Sequence, residues 1–205
     1  MKTVHYYFDF MSPYAYLACS QIPRLVDTYR GVAEFEGHPF NMWEARIAAG
    51  NTGPSNRDMP ARSRVLMADV ARWSQRYGIP VRPPKGFDTE RLNRGFLVAK
   101  DKGDPVAYLA SVNHSLWGTG GDPQDEALLA EGANKAGIAP DEMIALVDSP
   151  EIIARYADEN KKAQENGIFG APMFIVDDQV YWGNDRLEWV EEYLRETSPI
   201  AKTAR

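Results

Sequence analysis

The chain has 205 residues, 23 of them basic and 29 acidic, for a formal net charge of −6. At 44% hydrophobic and 25% charged it reads as one soluble globular domain, or one domain carrying an insertion. A disordered tail, a collagen-like fibre and a disulfide scaffold are excluded. No apolar run approaches the roughly 20 residues of a membrane helix. The first ten residues carry Asp9 and several aromatics, with no small-residue cleavage site, so the expected compartment is the cytoplasm. Cys19 is the only cysteine, which rules out an internal disulfide, a CxxC redox pair and a multi-thiolate metal site. Charge is uneven along the chain: residues 1–45 carry net −2, residues 46–95 net +6 and residues 96–205 net −10. A basic segment inside an acidic protein suits an anionic ligand, while the overall acidity argues against nucleic-acid binding.

Val4 to Phe10 is β-branched and aromatic and predicts a strand, stopped at Met11-Ser12-Pro13. From Tyr14, apolar residues recur at Ala18, Ile22, Leu25, Val26 and Tyr29, a helical spacing that Pro23 should kink or interrupt. Val32 to Phe40 predicts a second strand, and the β-α-β order favours a parallel pair. Gly, Asn and Pro make a loop of 50–60. Helices are predicted over about 61–77, 89–101, 105–117, 123–136, 141–148 and 150–165. Asp104-Pro105, Asp122-Pro123 and Ser149-Pro150 each place a capping side chain before a first-turn proline. Met173 to Val176 predicts a strand, Asp177 to Gln179 a turn and Val180 to Trp182 its hairpin partner. A last helix begins at Asn184-Asp185 with Leu187, Val190, Tyr193 and Leu194 facing inward. The order is βαβ, a helical block, then ββα. It predicts an α/β thioredoxin-like domain from residues 1–45 and 167–205, with an all-helical insertion over 46–166.

Four places could carry chemistry. Ser12 sits between strand and helix, where thioredoxin-type enzymes hold a cysteine pair. Here the corner reads Ser-Pro-Tyr-Ala, so it has no thiol of its own. Its plain reading is a helix cap. Its functional reading is a hydroxyl that hydrogen-bonds the thiolate of a bound cofactor. Ala171-Pro172 is either a strand-edge proline or a backbone edge for an extended peptide. Either Asn184 or Asp185 caps the last helix, and the same groups suit the amino and carboxylate end of a ligand. Asn51 with Arg57, Arg62 and Arg64 is either a solvated face or a clamp for a carboxylate. His5, His38 and His114 show no metal-ligand spacing with one another or with carboxylates, so no metal is expected. Cys19 reads as a small buried residue.

FDFMSPYAYL, the N-x-G-x-x-N-R-D-x-P loop, RWSQRYGIP and IFGAPMFIVDDQVYWGNDRL span nearly the whole chain. In this order they resemble the 2-hydroxychromene-2-carboxylate isomerase family, relatives of kappa-class glutathione transferases. The resemblance implies a thioredoxin-like fold with a helical insertion, a homodimer and bound glutathione with its sulfur beside Ser12. It implies that Ala171-Pro172 pairs with the glutathione backbone, that Asn184 and Asp185 hold its γ-glutamyl end, and that Asn51 and Arg62 line the site. It also implies an aromatic carboxylate substrate isomerised through reversible thiolate addition. The departures fall at Pro39 to Glu44 and at the glycine-rich Trp117 to Asp122, both expected to border the substrate pocket. A second reading from the same fold is a kappa-like glutathione transferase. A third, from another class, is a non-catalytic glutathione- or peptide-binding module.

Overall fold

The computed structural model describes residues 1–197, apart from the side chain of Arg57. Among the described residues, four strands form one sheet in the order β2-β1-β3-β4. Strand β1 (Lys2–Phe8) pairs in parallel with β2 (Ala33–Pro39), and antiparallel with β3 (Met173–Val176), which turns back into β4 (Gln179–Trp182). The parallel pair and the hairpin follow the sequence expectation. The tight turn of the hairpin puts Asp177 at φ 53°, a left-handed conformation that Asp tolerates better than most residues. This is the thioredoxin-like fold.

Helices α1 (Pro13–Cys19) and α2 (Ile22–Thr28) connect β1 to β2. The interruption falls just before Pro23, which then sits in the first turn of α2, where its missing N–H costs nothing. Between β2 and β3 lie α3 (Met42–Ala48), α4 (Pro60–Tyr77), α5 (Glu90–Lys102), α6 (Pro105–Asn113), α7 (Glu126–Ala136), α8 (Pro140–Val147) and α9 (Pro150–Glu165); α10 (Leu187–Thr197) is the last of the described elements.

Three elements differ from expectation. Helix α3 was not foreseen, although Asn41 caps it by accepting from the amides of Trp43 and Glu44, both at 3.1 Å. The helix expected to run to 117 changes pitch: α6 ends at Asn113 and a π-turn continues over His114–Gly118. Asp122 caps no helix. It forms a turn by accepting from the Gln124 amide, and Asp125 caps α7 instead.

The parallel register also corrects the reading of the histidines. It sets His5 opposite Glu36 and Tyr7 opposite His38. His5 Nδ1 and His38 Nε2 lie 3.0 Å apart, so ligand-like proximity that the linear spacing lacks exists across the sheet.

One buried carboxylate joins the sheet to the helices. Asp9, 2% exposed, follows β1 directly. Its Oδ1 accepts from the Met11 amide (3.1 Å), Thr89 Oγ1 (2.7 Å) and Asn93 Nδ2 (3.0 Å), and its Oδ2 accepts from the Met42 amide (2.9 Å). Burial pushes the Asp9 carboxyl up from the ordinary range, and the four donors pull it back. Asp9→Asn keeps the volume but turns an NH2 group toward a donor. It is expected to cost about 1–3 kcal/mol for the unsatisfied buried group and to lower Tm by several degrees in a thermal melt.

Candidate active site

After Phe8 the chain leaves the end of the interior strand β1 and turns. The Ser12 amide donates to Asp9 O (3.0 Å), and Trp117 Nε1 donates to Phe10 O (2.7 Å). These bonds, with those of Asp9, hold the Met11-Ser12-Pro13 corner. Ser12 caps α1: its Oγ accepts from the Ala15 amide at 3.2 Å and donates to Ala171 O at 2.9 Å. The cap and the bridge use the same hydroxyl, which is 3% exposed.

Ala171-Pro172 is cis. Pro172 O accepts from the Gly183 amide (3.0 Å), which ties this segment to the Asn184–Arg186 turn ahead of α10. Gly183 has φ 112°, a conformation L side chains rarely adopt. Asn184 is buried, and Asp185 Oδ2 accepts from Arg186 Nη1 at 2.6 Å.

These pieces open onto a single cavity of about 1040 Å³. Ser12, Asn51, Arg62, Ala171, Asn184 and Asp185 all line it. Pro172 does not line it but follows the residue that does, and Arg64 is exposed away from it. The Arg57 side chain lies outside the described residues. Both departing segments reach the cavity, through Met42, Trp43 and Trp117.

The sequence reading missed Arg46, Tyr14 and Asp69. Arg46 projects from α3 with its guanidinium 4.8 Å from the Trp43 ring centroid. Its Nη2 donates to Asn51 Oδ1 (3.3 Å), to Pro54 O (3.3 Å) and to Gly53 O, and so gathers the 50–55 loop against the cavity. Tyr14 Oη donates to Asp69 Oδ2 at 2.9 Å and joins α1 to α4. Burial and that carboxylate push the Tyr14 phenol up, which keeps it protonated. The one available signal for Arg46 was its place at the head of the basic segment, and the helix that aims it had not been foreseen.

The charges do not cancel evenly. Asp69 is engaged by Tyr14 and Asp185 by Arg186. Arg46 and Arg62 line the cavity with no carboxylate partner among the described residues. No histidine lines the cavity, and Ser12 donates to a carbonyl rather than to a base. Cys19 is buried at the far end of α1, and burial pushes its thiol up. Among its described lining residues the cavity therefore has two available cations and no activated nucleophile.

The DSBA-like thioredoxin domain matches residues 3–195. A 2-hydroxychromene-2-carboxylate isomerase from Sphingobium xenophagum is 40% identical over 193 residues, covering 94% of this chain and 98% of that protein. The chain belongs to that isomerase family. A solved 2-hydroxychromene-2-carboxylate isomerase superimposes with a TM-score of 0.89 at 33% identity, covering 95% of both chains. Glutathione S-transferase kappa 2 from Caenorhabditis elegans is a more distant relative, 27% identical over 212 residues, 95% of this chain and 92% of its own. The family is one of enzymes that isomerise. Among the described residues no helix is long and apolar enough to cross a membrane.

Arg46→Ala removes the guanidinium that gathers three groups of the 50–55 loop. Amide hydrogen exchange over 50–56 is expected to quicken at least tenfold while Tm changes little, because the loop is mostly exposed and Arg46 is only partly buried.

Proposed function

We propose that this protein is a glutathione-dependent isomerase. It interconverts 2-hydroxychromene-2-carboxylate and trans-o-hydroxybenzylidenepyruvate, or a close analogue, in the degradation of aromatic compounds. The observation that carries this reading is the cavity, which among the described residues combines two arginines lacking carboxylate partners with a buried serine hydroxyl and no activated nucleophile. Such a site needs a borrowed nucleophile and an anionic substrate. The cavity volume lies at the top of the usual range for small-molecule sites, roughly 300–1,000 Å³, so it has room for a tripeptide beside an aromatic acid.

The residues present fit glutathione. The Ala171 backbone offers a peptide edge, Asp185 offers a carboxylate to an amino group, and Asn51 and Arg62 face the remaining polar ends. When bound, glutathione would supply a thiolate: once the hemiketal C–O bond has broken to give the ketone, its hydroxyl proton passing to the phenol oxygen, that thiolate would add to the conjugated carbon, making the C=C bond single and free to rotate, and would leave again to re-form it.

The chain's own groups do the rest. With glutathione bound, the Ser12 hydroxyl would be available to donate to its sulfur and favour the anionic form, and Ala171 O would be available to accept from a peptide amide. The helix contributes less than its position suggests. Helix α1 has seven residues, Pro13 has no N–H, and Ser12 already holds the Ala15 amide. The hydroxyl is therefore the main local donor. Arg46 holds the substrate carboxylate and the negative charge that develops on its ketone oxygen. Trp43 and Trp117 offer aromatic faces to the ring.

The kappa-type relative and the size of the cavity favour a second reading, a glutathione transferase in which the adduct is released intact. Loss of free glutathione during turnover separates the two, since an isomerase returns it. The homodimer implied by the resemblance belongs to the same proposal. Supporting it, the edge strand β4 exposes Val180 and Trp182, each 58% accessible, and light scattering should return twice the 23.0 kDa chain mass.

The decisive assay uses 2-hydroxychromene-2-carboxylate with and without glutathione. Ser12→Ala is expected to bind glutathione but to turn over about 10- to 100-fold more slowly, the worth of one hydrogen bond to a charged group. Unchanged activity in that variant, or full activity in rigorously glutathione-free protein, would overturn the proposal.

A further inference from the structure

Away from the cavity, one face of the β1/β2 pair gathers His5, Glu36 and His38, none of which lines that cavity. Their ligand atoms all lie within 4.8 Å of one another. His5 Nδ1 is 3.0 Å from His38 Nε2 and 3.5 Å from Glu36 Oε2, and His38 Nε2 is 3.9 Å from Glu36 Oε1. An ion held at the usual 2.0–2.1 Å from two imidazoles sets their nitrogens roughly 3.0–3.4 Å apart. The histidine pair meets that requirement already. The carboxylate needs only a small rotation.

A second observation comes from α9. Glu159 Oε2 lies 3.3 Å from His38 Nδ1 and carries a side-chain exposure of 16%. A carboxylate there puts the His38 proton on Nδ1 and leaves Nε2 as an acceptor, a lone pair that His5 Nδ1 meets as a hydrogen-bond donor without an ion and that an ion takes over once His5 turns its own Nδ1 lone pair to it, the outer-shell arrangement of metal-binding histidines. Tyr7 stacks on the His38 ring, with centroids 4.8 Å apart, and restrains its rotation. Lys100 donates to Glu36 Oε1 and to Gly37 O, both at 3.1 Å, which leaves Oε2, the oxygen nearer His5, for an ion.

We propose that His5, Glu36 and His38 form a site for one borderline divalent transition-metal ion, of the cobalt, nickel, copper and zinc group, with water completing its shell. Two imidazoles and a carboxylate suit these ions better than calcium or magnesium, which take all-oxygen sets. The ion bridges the edge strand β2 to β1, and through Glu159 it also engages α9. It is separate from the proposed chemistry and acts on the stability of this edge.

The test uses the full chain without a histidine tag, stripped with chelator and titrated with Co2+ in thiol-free buffer. Binding is followed by visible d–d absorption and calorimetry, with Zn2+ as competitor. One ion per chain is expected, displaced by Zn2+ and accompanied by a rise in Tm. His5→Gln and His38→Gln should each abolish it, and Glu159→Gln should weaken it about 10- to 100-fold. His5 is 38% exposed on its side chain, so His5→Gln remains a fair test if the His38 variant folds poorly, with circular dichroism as the check. No saturable binding, or binding unchanged in His5→Gln, overturns the proposal.

Discussion

The Asp9 carboxylate is the constraint from which the site is built. It is the first residue past β1, it is buried, and each of its oxygens is claimed by donors from other segments. A buried charge is costly unless it is fully hydrogen-bonded, so the segments that supply donors are held where they can reach it. Those segments are the corner before α1, the start of α3 and the start of α5. The cavity lies where they converge with the Ala171 and Gly183 segments. Displacing any of them leaves an unsatisfied group in the core, and this is what keeps the walls of an open cavity in register.

Within that frame, a single hydroxyl does two jobs. Ser12 ends the exposed amide row of α1 and bridges to the carbonyl of Ala171. The bridge makes the corner rigid and gives the hydroxyl a second possible partner. A cysteine in this place would be a nucleophile. A serine with no base beside it is a hydrogen-bond donor. The missing thiol, the two arginines without carboxylate partners among the described residues and the size of the cavity are consistent with one another and with the proposed borrowed nucleophile.

The strands, the split helix at Pro23 and most of the helices in the middle of the chain were legible, because their signals are local: alternation, helical spacing, and capping residues before prolines. Ser12, Ala171 and Asn184 could be singled out for the same reason, since each sits at a junction that turn and cap chemistry announces. Helix α3 escaped although Asn41 and Glu44 have cap-like spacing, because a seven-residue helix offers too few turns for periodicity to register. Tyr14 escaped because its partner, Asp69, is far away in sequence, and Arg46 escaped because the short helix that aims it was not foreseen. The pairing of His5 with His38 was invisible for a related reason. It arises from the register of two parallel strands, and no spacing rule along one strand encodes it.

The sequence by itself determined the order of elements, the thioredoxin-like class, the absence of a protein thiol at the active corner and the location of its positive charge. Each of these is written in local pattern or simple counting. The tertiary structure alone decided which of those charges face the cavity, that the Ser12 hydroxyl is spent on Ala171, and that two histidines 33 residues apart touch. These are properties of pairs of residues distant along the chain. They exist only once burial of the common core, with Asp9 satisfied inside it, has fixed how the segments meet.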